Sequence, residues 1–265
     1  MKKITKVLFS PATTIVAFVL AAGLLLFASI GGTQAALTYF SETYTSRVQM
    51  FDIGVTLREN GRDISWRDYD YENADGTWDE HIGVLLENML INANGDEEML
   101  QLGRAYDEQL NVYNSGTINQ YVRVSVYRYW LKDDGNGNWV KDQNMDPAFI
   151  DLHYTNIGSS WIEDTTASTP ERTVLYYNRL LNAGEETPLF ADKLTINGGL
   201  AYQTETTKLN DGTIKTTYTY QGARFCLEAT VDAVQENNAN DAILSAWGKY
   251  VSVDPAAGTL RLIQQ

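Results

Sequence analysis

YDEQLNVYNSGTINQYVRVSVYRYW, residues 106 to 130, alternates at a period of two on both sides of Asn114-Ser115-Gly116. Tyr106, Leu110 and Val112 share one face of a first strand, and Val122, Val124, Val126 and Trp130 share one face of a second. Two successive strands joined at a turn predict an antiparallel pair with one face on a core. The other face of the second strand carries Tyr121, Arg123, Ser125, Tyr127 and Tyr129. That aromatic ladder has two readings: cross-strand pairs that stabilise a sheet, or a surface that stacks on another subunit or on glycans.

The same period recurs in both directions. Phe51, Ile53, Val55 and Leu57 predict a strand, Asn60-Gly61 is a strong turn signal, and Ile64 and Trp66 alternate on the return, so a hairpin is expected. Ile82, Leu85, Leu86, Met89 and Leu90 recur at helical spacing and predict a short amphipathic helix. Residues 146 to 169 predict one short strand and a long loop, and Val174 to Leu181 predicts another strand. Tyr202 to Thr207 and Thr213 to Tyr220 flank Asn210-Asp211-Gly212, a second hairpin whose Thr and Tyr content suits an exposed sheet edge. Phe225, Leu227, Ala229, Val231 and Ala233 line one strand face, with Cys226 on the other. A helix from about Asn238 should bury Ile243, Ala246 and Trp247 and stop at Gly248, before a last strand at Leu260 and Leu262. The fold class expected is all-β: an antiparallel β-sandwich of jelly-roll type with one or two short peripheral helices.

Charge and cysteine content narrow the function classes. The 265 residues carry 34 acidic and 20 basic side chains, a formal charge of -14. Such a field repels phosphate backbones and argues against nucleic acid as a partner. One cysteine, Cys226, allows no intrachain disulfide. It reads as a buried or half-buried strand residue, or as one half of an intermolecular bond.

The N-terminus reads as an address. Lys2, Lys3 and Lys6 precede an apolar run from Ile15 to Ile30, and Thr33-Gln34-Ala35 offers small residues to a signal peptidase. Residues 1–35 are the expected signal peptide, with cleavage after Ala35 or Ala36. The competing reading is an uncleaved anchor, since the run approaches the ~20 residues that span a bilayer. Cleavage removes three lysines and no acid, which leaves the mature chain near about -17. Residues 36–265 are then a secreted domain that starts with an assembly segment, 36–47, whose Leu37, Tyr39 and Phe40 form a free apolar strand ahead of polar Ser41 to Arg47.

GGTQAALTYFSE followed by MFDIGVTL resembles the start of TasA and camelysin type proteins, which Gram-positive bacteria secrete with a SipW-type signal peptide. Tyr106 to Trp130 is similar to that family's core strands, and Val231 to Gly248 (VDAVQENNANDAILSAWG) to its closing strand and helix. The resemblance implies a structural subunit of extracellular fibres in a biofilm matrix or on the cell surface. Its partners would be copies of itself, assembled by N-terminal strand donation, with other matrix proteins or polysaccharide as further partners. An adhesin or glycan-binding module is the alternative.

No catalytic or cofactor pattern stands out. His81 and His153 each lack a second histidine at the four-residue spacing of a zinc-protease helix, so the peptidase label of the camelysin branch finds no residues here. A Gly-x-Ser-x-Gly elbow is absent. Asp133 to Asn138, DDGNGN, hints at calcium through its closely spaced oxygens. An EF-hand loop, however, needs glycine at its sixth position and glutamate at its twelfth, which are Asn138 and Asn144 counted from Asp133. A glycine-rich hairpin loop between Trp130 and Trp139 fits the composition better. No enzymatic activity, metal or cofactor is expected.

Overall fold

Period-two patterning dominates the chain, and strands dominate its computed structural model, which describes residues 15, 53–72, 78–92, 94–211 and 213–263, with backbone alone at 66–72 and 78–82. Residues 51–265 form one compact unit. Its strands are β1 (Thr56–Glu59), β2 (Arg62–Glu72), β3 (Trp78–Ile82), β4 (Ala105–Tyr113), β5 (Gln120–Asp133), β6 (Trp139–Lys141), β7 (Ile150–Tyr154), β8 (Trp161–Glu163), β9 (Arg172–Tyr177) and β10 (Ala191–Ile196). After these come β11 (Thr204–Lys208), β12 (Ile214–Tyr218), β13 (Arg224–Gln235), the helix α1 (Ala239–Trp247), β14 (Val251–Asp254) and β15 (Thr259–Leu262).

Two larger sheets, β3-β2-β1-β4-β10-β7 and β13-β5-β9-β8, hold most strands, with β6 on the end of β5. Every ladder between these strands is antiparallel. One apolar cluster draws on both sheets: Leu57, Leu110, Val112, Ile150, Leu152 and Leu194 from the first, and Val122, Val124, Val126, Trp161 and Leu175 from the second. A second cluster covers the other face of the second sheet, where Tyr121, Val174, Tyr176 and Val234 meet Ala239 and Ile243 of α1, Val251 of β14 and Leu260 of β15.

The sequence around 106–130 holds two strands as expected, but they do not pair. β4 bonds to β1 and β10, whereas β5 bonds to β13 and β9, so the 114–119 connection crosses from one sheet to the other. Fully buried Asn114 pins that corner. Its amide donates to the carbonyls of Ile118 and Leu181, and its Oδ1 accepts from Gly116 N–H. Gln120 Nε2 donates to Gly54 O at 2.7 Å, tying the corner to the approach of β1.

Both expected hairpins form. Asn60 and Gly61 take φ of 50° and 76°, the left-handed pair that a two-residue hairpin turn requires. β11 and β12 pair in register from Thr204↔Tyr218 to Lys208↔Ile214 and stand largely exposed. The loop after Asp133 is also a hairpin, β5–β6.

Three local expectations need correction. Residues 85–90 form turns, not a helix. Leu86 takes φ 68°, which no α-helix tolerates, and Glu59 Oε1 accepts its N–H at 2.6 Å, so a side chain replaces the helical ladder. Leu85, Leu86 and Met89 still pack on the core, which explains the apolar spacing. Residues 150–163 supply two strands instead of one, and β14 is additional. In α1, Ile243 is buried as expected, but Trp247 is only half-buried and Ala246 is exposed. Gly248 ends the helix at φ 66°, donating to Leu244 O.

Candidate functional site

The core is incompletely covered along β13. β13 is twelve residues long, and among the described residues its only strand partner is β5. Its inward row shows the incompleteness: Leu227 is buried, but Phe225, Ala229 and Val231 are half-buried, while Val122, Val124 and Val126 of adjacent β5 are fully buried. Across from Phe225 and Leu227 stand Leu85, Leu86 and Met89 of the 84–91 turns, and between them runs a groove of about 400 Å³. A long strand with a free edge and a half-covered apolar row is a place where a further strand can add, with backbone bonds for affinity and alternate side chains for fit.

Cys226 borders the groove on the same strand, half-buried, with its thiol on the opposite face beside Glu228 and Tyr129. Burial raises its thiol above the ordinary value, partly opposed by the Tyr129 hydroxyl. Tyr129 itself donates to Glu228 Oε1, and burial pushes its phenol up. A thiol so raised is a poor nucleophile at neutral pH.

The other wall rests on two acids. Glu59 of β1 and Glu108 of β4 both face the core and are only 8% and 1% exposed. Glu108 hydrogen-bonds Glu59, and its Oε1 has no partner. Burial above all, with the Glu59 charge beside it, pushes Glu108 up to about 9, so it is protonated at neutral pH. The pair borders a cavity of about 600 Å³ rimmed by Arg62, Arg104, Asn88 and Asn92. Sequence reasoning missed Glu108. The signal was present, because period two places it between Tyr106 and Leu110 on the inward face.

Thr33, Ala35, Ala36, Leu37, Tyr39 and Phe40, the expected cleavage and assembly residues, lie outside the described residues. The tyrosine ladder of β5 is not an open face. Tyr121 is 1% exposed under α1 and β15, Trp247 packs edge-on against Tyr176 at 5.6 Å, and Arg123 lies under Trp247 while bonding Asp232 at 2.6 Å. Structural cross-strand packing is therefore the reading that fits Tyr121, with Tyr127 and Tyr129 half-buried beyond it.

The DDGNGN loop spends its carboxylates on its own backbone. Asp133 Oδ1 accepts from Gly135 N–H, and Asp134 Oδ1 from Asn136 and Asn138 N–H, which holds Asp134 below the usual carboxylate range. Among the described residues no three of His, Cys, Asp or Glu gather as a metal cluster. The exposed His153 has its Nδ1 2.6 Å from Asp192 Oδ1.

A third concavity, of about 620 Å³, separates the β11–β12 hairpin from the 142–149 segment. Phe149 and Leu200 contribute apolar surface there, and Asn144, Gln203, Gln221 and Tyr218 contribute polar and aromatic groups. Searched against protein-family models, curated proteins and solved structures, the chain matches none.

Proposed function

We propose that the chain is a secreted structural subunit of the TasA and camelysin type, a β-sandwich of jelly-roll type that polymerises into extracellular fibres of a biofilm matrix or cell surface. Export removes residues 1–35 by signal peptidase, and the freed segment 36–47 adds as a strand to β13 of the next subunit. The protein works by assembly, without catalysis or cofactor. The observation that carries this reading is the twelve-residue edge of β13, unpaired among the described residues, with its half-covered row Phe225, Ala229 and Val231. Seating Leu37, Tyr39 and Phe40 against that row would contribute roughly 1.5 to 3 kcal/mol for each side chain fully covered. A strongly acidic subunit also resists association until its charge is reduced, which keeps it monomeric during export.

A synthetic peptide of residues 36–47 tests the docking step. In excess it should occupy β13, cap growing ends and shorten the fibres, whereas a scrambled peptide should have no effect. Fibre growth unaffected by either peptide would count against strand donation.

A second reading, a glycan-binding adhesin, is favoured by the cleft under the β11–β12 hairpin, where half-exposed Tyr218 offers a stacking face beside the amides of Asn144, Gln203 and Gln221. Protein that stays monomeric at every pH and binds polysaccharide would support it over assembly.

A further inference from the structure

We propose that the Glu59–Glu108 carboxyl pair is a clamp that holds one wall of the β13 groove, so that docking of a strand depends on a proton held in the core. This inference rests on the assembly reading and adds its regulation.

Three features of the geometry meet at this pair. The 84–91 turns supply Leu85, Leu86 and Met89 to the groove opposite Phe225 and Leu227. The same turns are tied down through Leu86, whose N–H donates to Glu59 Oε1 at 2.6 Å while its backbone sits at φ 68°, a conformation uncommon for a bulky residue. Glu59 is in turn held by Glu108, whose free Oε1 has no partner in the protein. Two carboxyls can share a hydrogen bond only while one of them carries a proton. Loss of that proton leaves two adjacent buried charges, and their repulsion parts the pair.

Among the described residues no nearby cation is placed to neutralise both. Arg104 is engaged by Glu98 at 2.6 Å, and Arg62 stands on the exposed rim at the start of β2. Asp107 at that rim and Glu87 and Glu97 along the turns add negative charge only. Tyr106 Oη accepts from Gln101 N–H. On the inward row of β5, Arg128 is half-buried and donates to Ile150 O, and Gln120 is fully buried and uncharged. With Glu108 pushed up to about 9, the clamp is shut at neutral and acid pH and opens in alkali. Between neutral and acid pH the clamp stays shut, so over that range assembly responds to the net charge, and only alkali acts through the clamp.

A thiol on the wall itself reports directly: half-buried Leu90 of the groove-lining turns carries it as Leu90→Cys in a Cys226→Ser background, because the Cys226 thiol faces away from the groove beside Glu228 and Tyr129. The test measures the rate of the Leu90→Cys thiol with a neutral thiol reagent from pH 7 to pH 10 in that background, with wild-type Glu108 and with Glu108→Gln. The glutamine amide donates to Glu59 at every pH, and the thiol's own ionisation cancels in the ratio of the two rates. The wild-type to variant ratio should rise about threefold or more, since one pH unit above its midpoint an acid is about nine-tenths ionised. A ratio flat across that range overturns the clamp. In parallel, binding of the 36–47 peptide should weaken about tenfold between pH 8 and pH 10 in wild type and hold in Glu108→Gln. Equal weakening in both also overturns the clamp. A peptide that binds neither protein at any pH overturns strand docking instead, and the thiol ratio still decides the clamp. Should Glu108→Gln fail to fold by circular dichroism, Glu59→Gln serves: its amide oxygen still accepts from Leu86, and the ratio of the wild-type thiol rate to its own should rise with pH in the same way.

Discussion

Glu108→Gln should stabilise the protein at neutral pH, by an amount that grows with pH. Glu108 titrates near 9 in the fold against an ordinary value of 4.5, so folding takes up a proton across that interval. An acid whose folded value is raised contributes instability that is absent below about pH 4.5, increases through the interval, and levels off above about pH 9. At about 1.4 kcal/mol per pH unit, the penalty at pH 7 is roughly 3 kcal/mol, and at pH 5 under about 1 kcal/mol. Glutamine keeps the shape, donates to Glu59 and carries no charge to desolvate, so the substitution removes the penalty. Urea unfolding of both proteins at pH 5, 7 and 8.5 measures it. Stability curves that diverge with pH, the variant above, are the expected result. A constant gap, or a variant less stable at pH 7, would refute the assignment of a buried protonated acid at Glu108.

Three further outcomes follow from other parts of the structure. Gly83→Ala should lower stability by about 2 kcal/mol or more in urea unfolding, because its Cβ would stand 2.0 Å from the Ile64 carbonyl oxygen of β2. Asp164→Asn should cost about 2 to 4 kcal/mol at pH 7. Burial alone would raise Asp164, but Lys249 Nζ at 2.8 Å and Thr166 bring it below 3.8, so the loss should vanish as acid titrates the wild-type carboxylate. Acid near about pH 4 to 5, or added salt, should speed assembly followed by light scattering, since both reduce repulsion between acidic subunits.

Local signals in the sequence proved legible where local chemistry decides. Asn60-Gly61 forces its turn through two left-handed residues, Gly248 stops α1 in the same way, and the DDGNGN loop closes on its own aspartates. What the sequence could not convey is which strand lies beside which. Tyr106 to Tyr113 and Tyr121 to Trp130 alternate just as well in one sheet as in two, and the choice is made by Asn114 reaching Leu181, 67 residues away. The 84–91 turns mimic a helix because two successive turns can present leucines to a core at similar spacing. The site is the least legible part: the groove depends on how incompletely β13 is covered, and the buried acid pair depends on β1 and β4 lying side by side.

Deletion of residues 36–41, followed by negative-stain imaging across pH 4 to 8 at fixed protein concentration, puts the central claim to the most direct trial. The full mature protein should form filaments, most readily at the acid end, while the truncated protein should keep its circular dichroism spectrum and unfolding midpoint yet remain monomeric. Filaments of normal length from the truncated protein, or its outright unfolding, would place this segment in its own domain and contradict strand donation to β13.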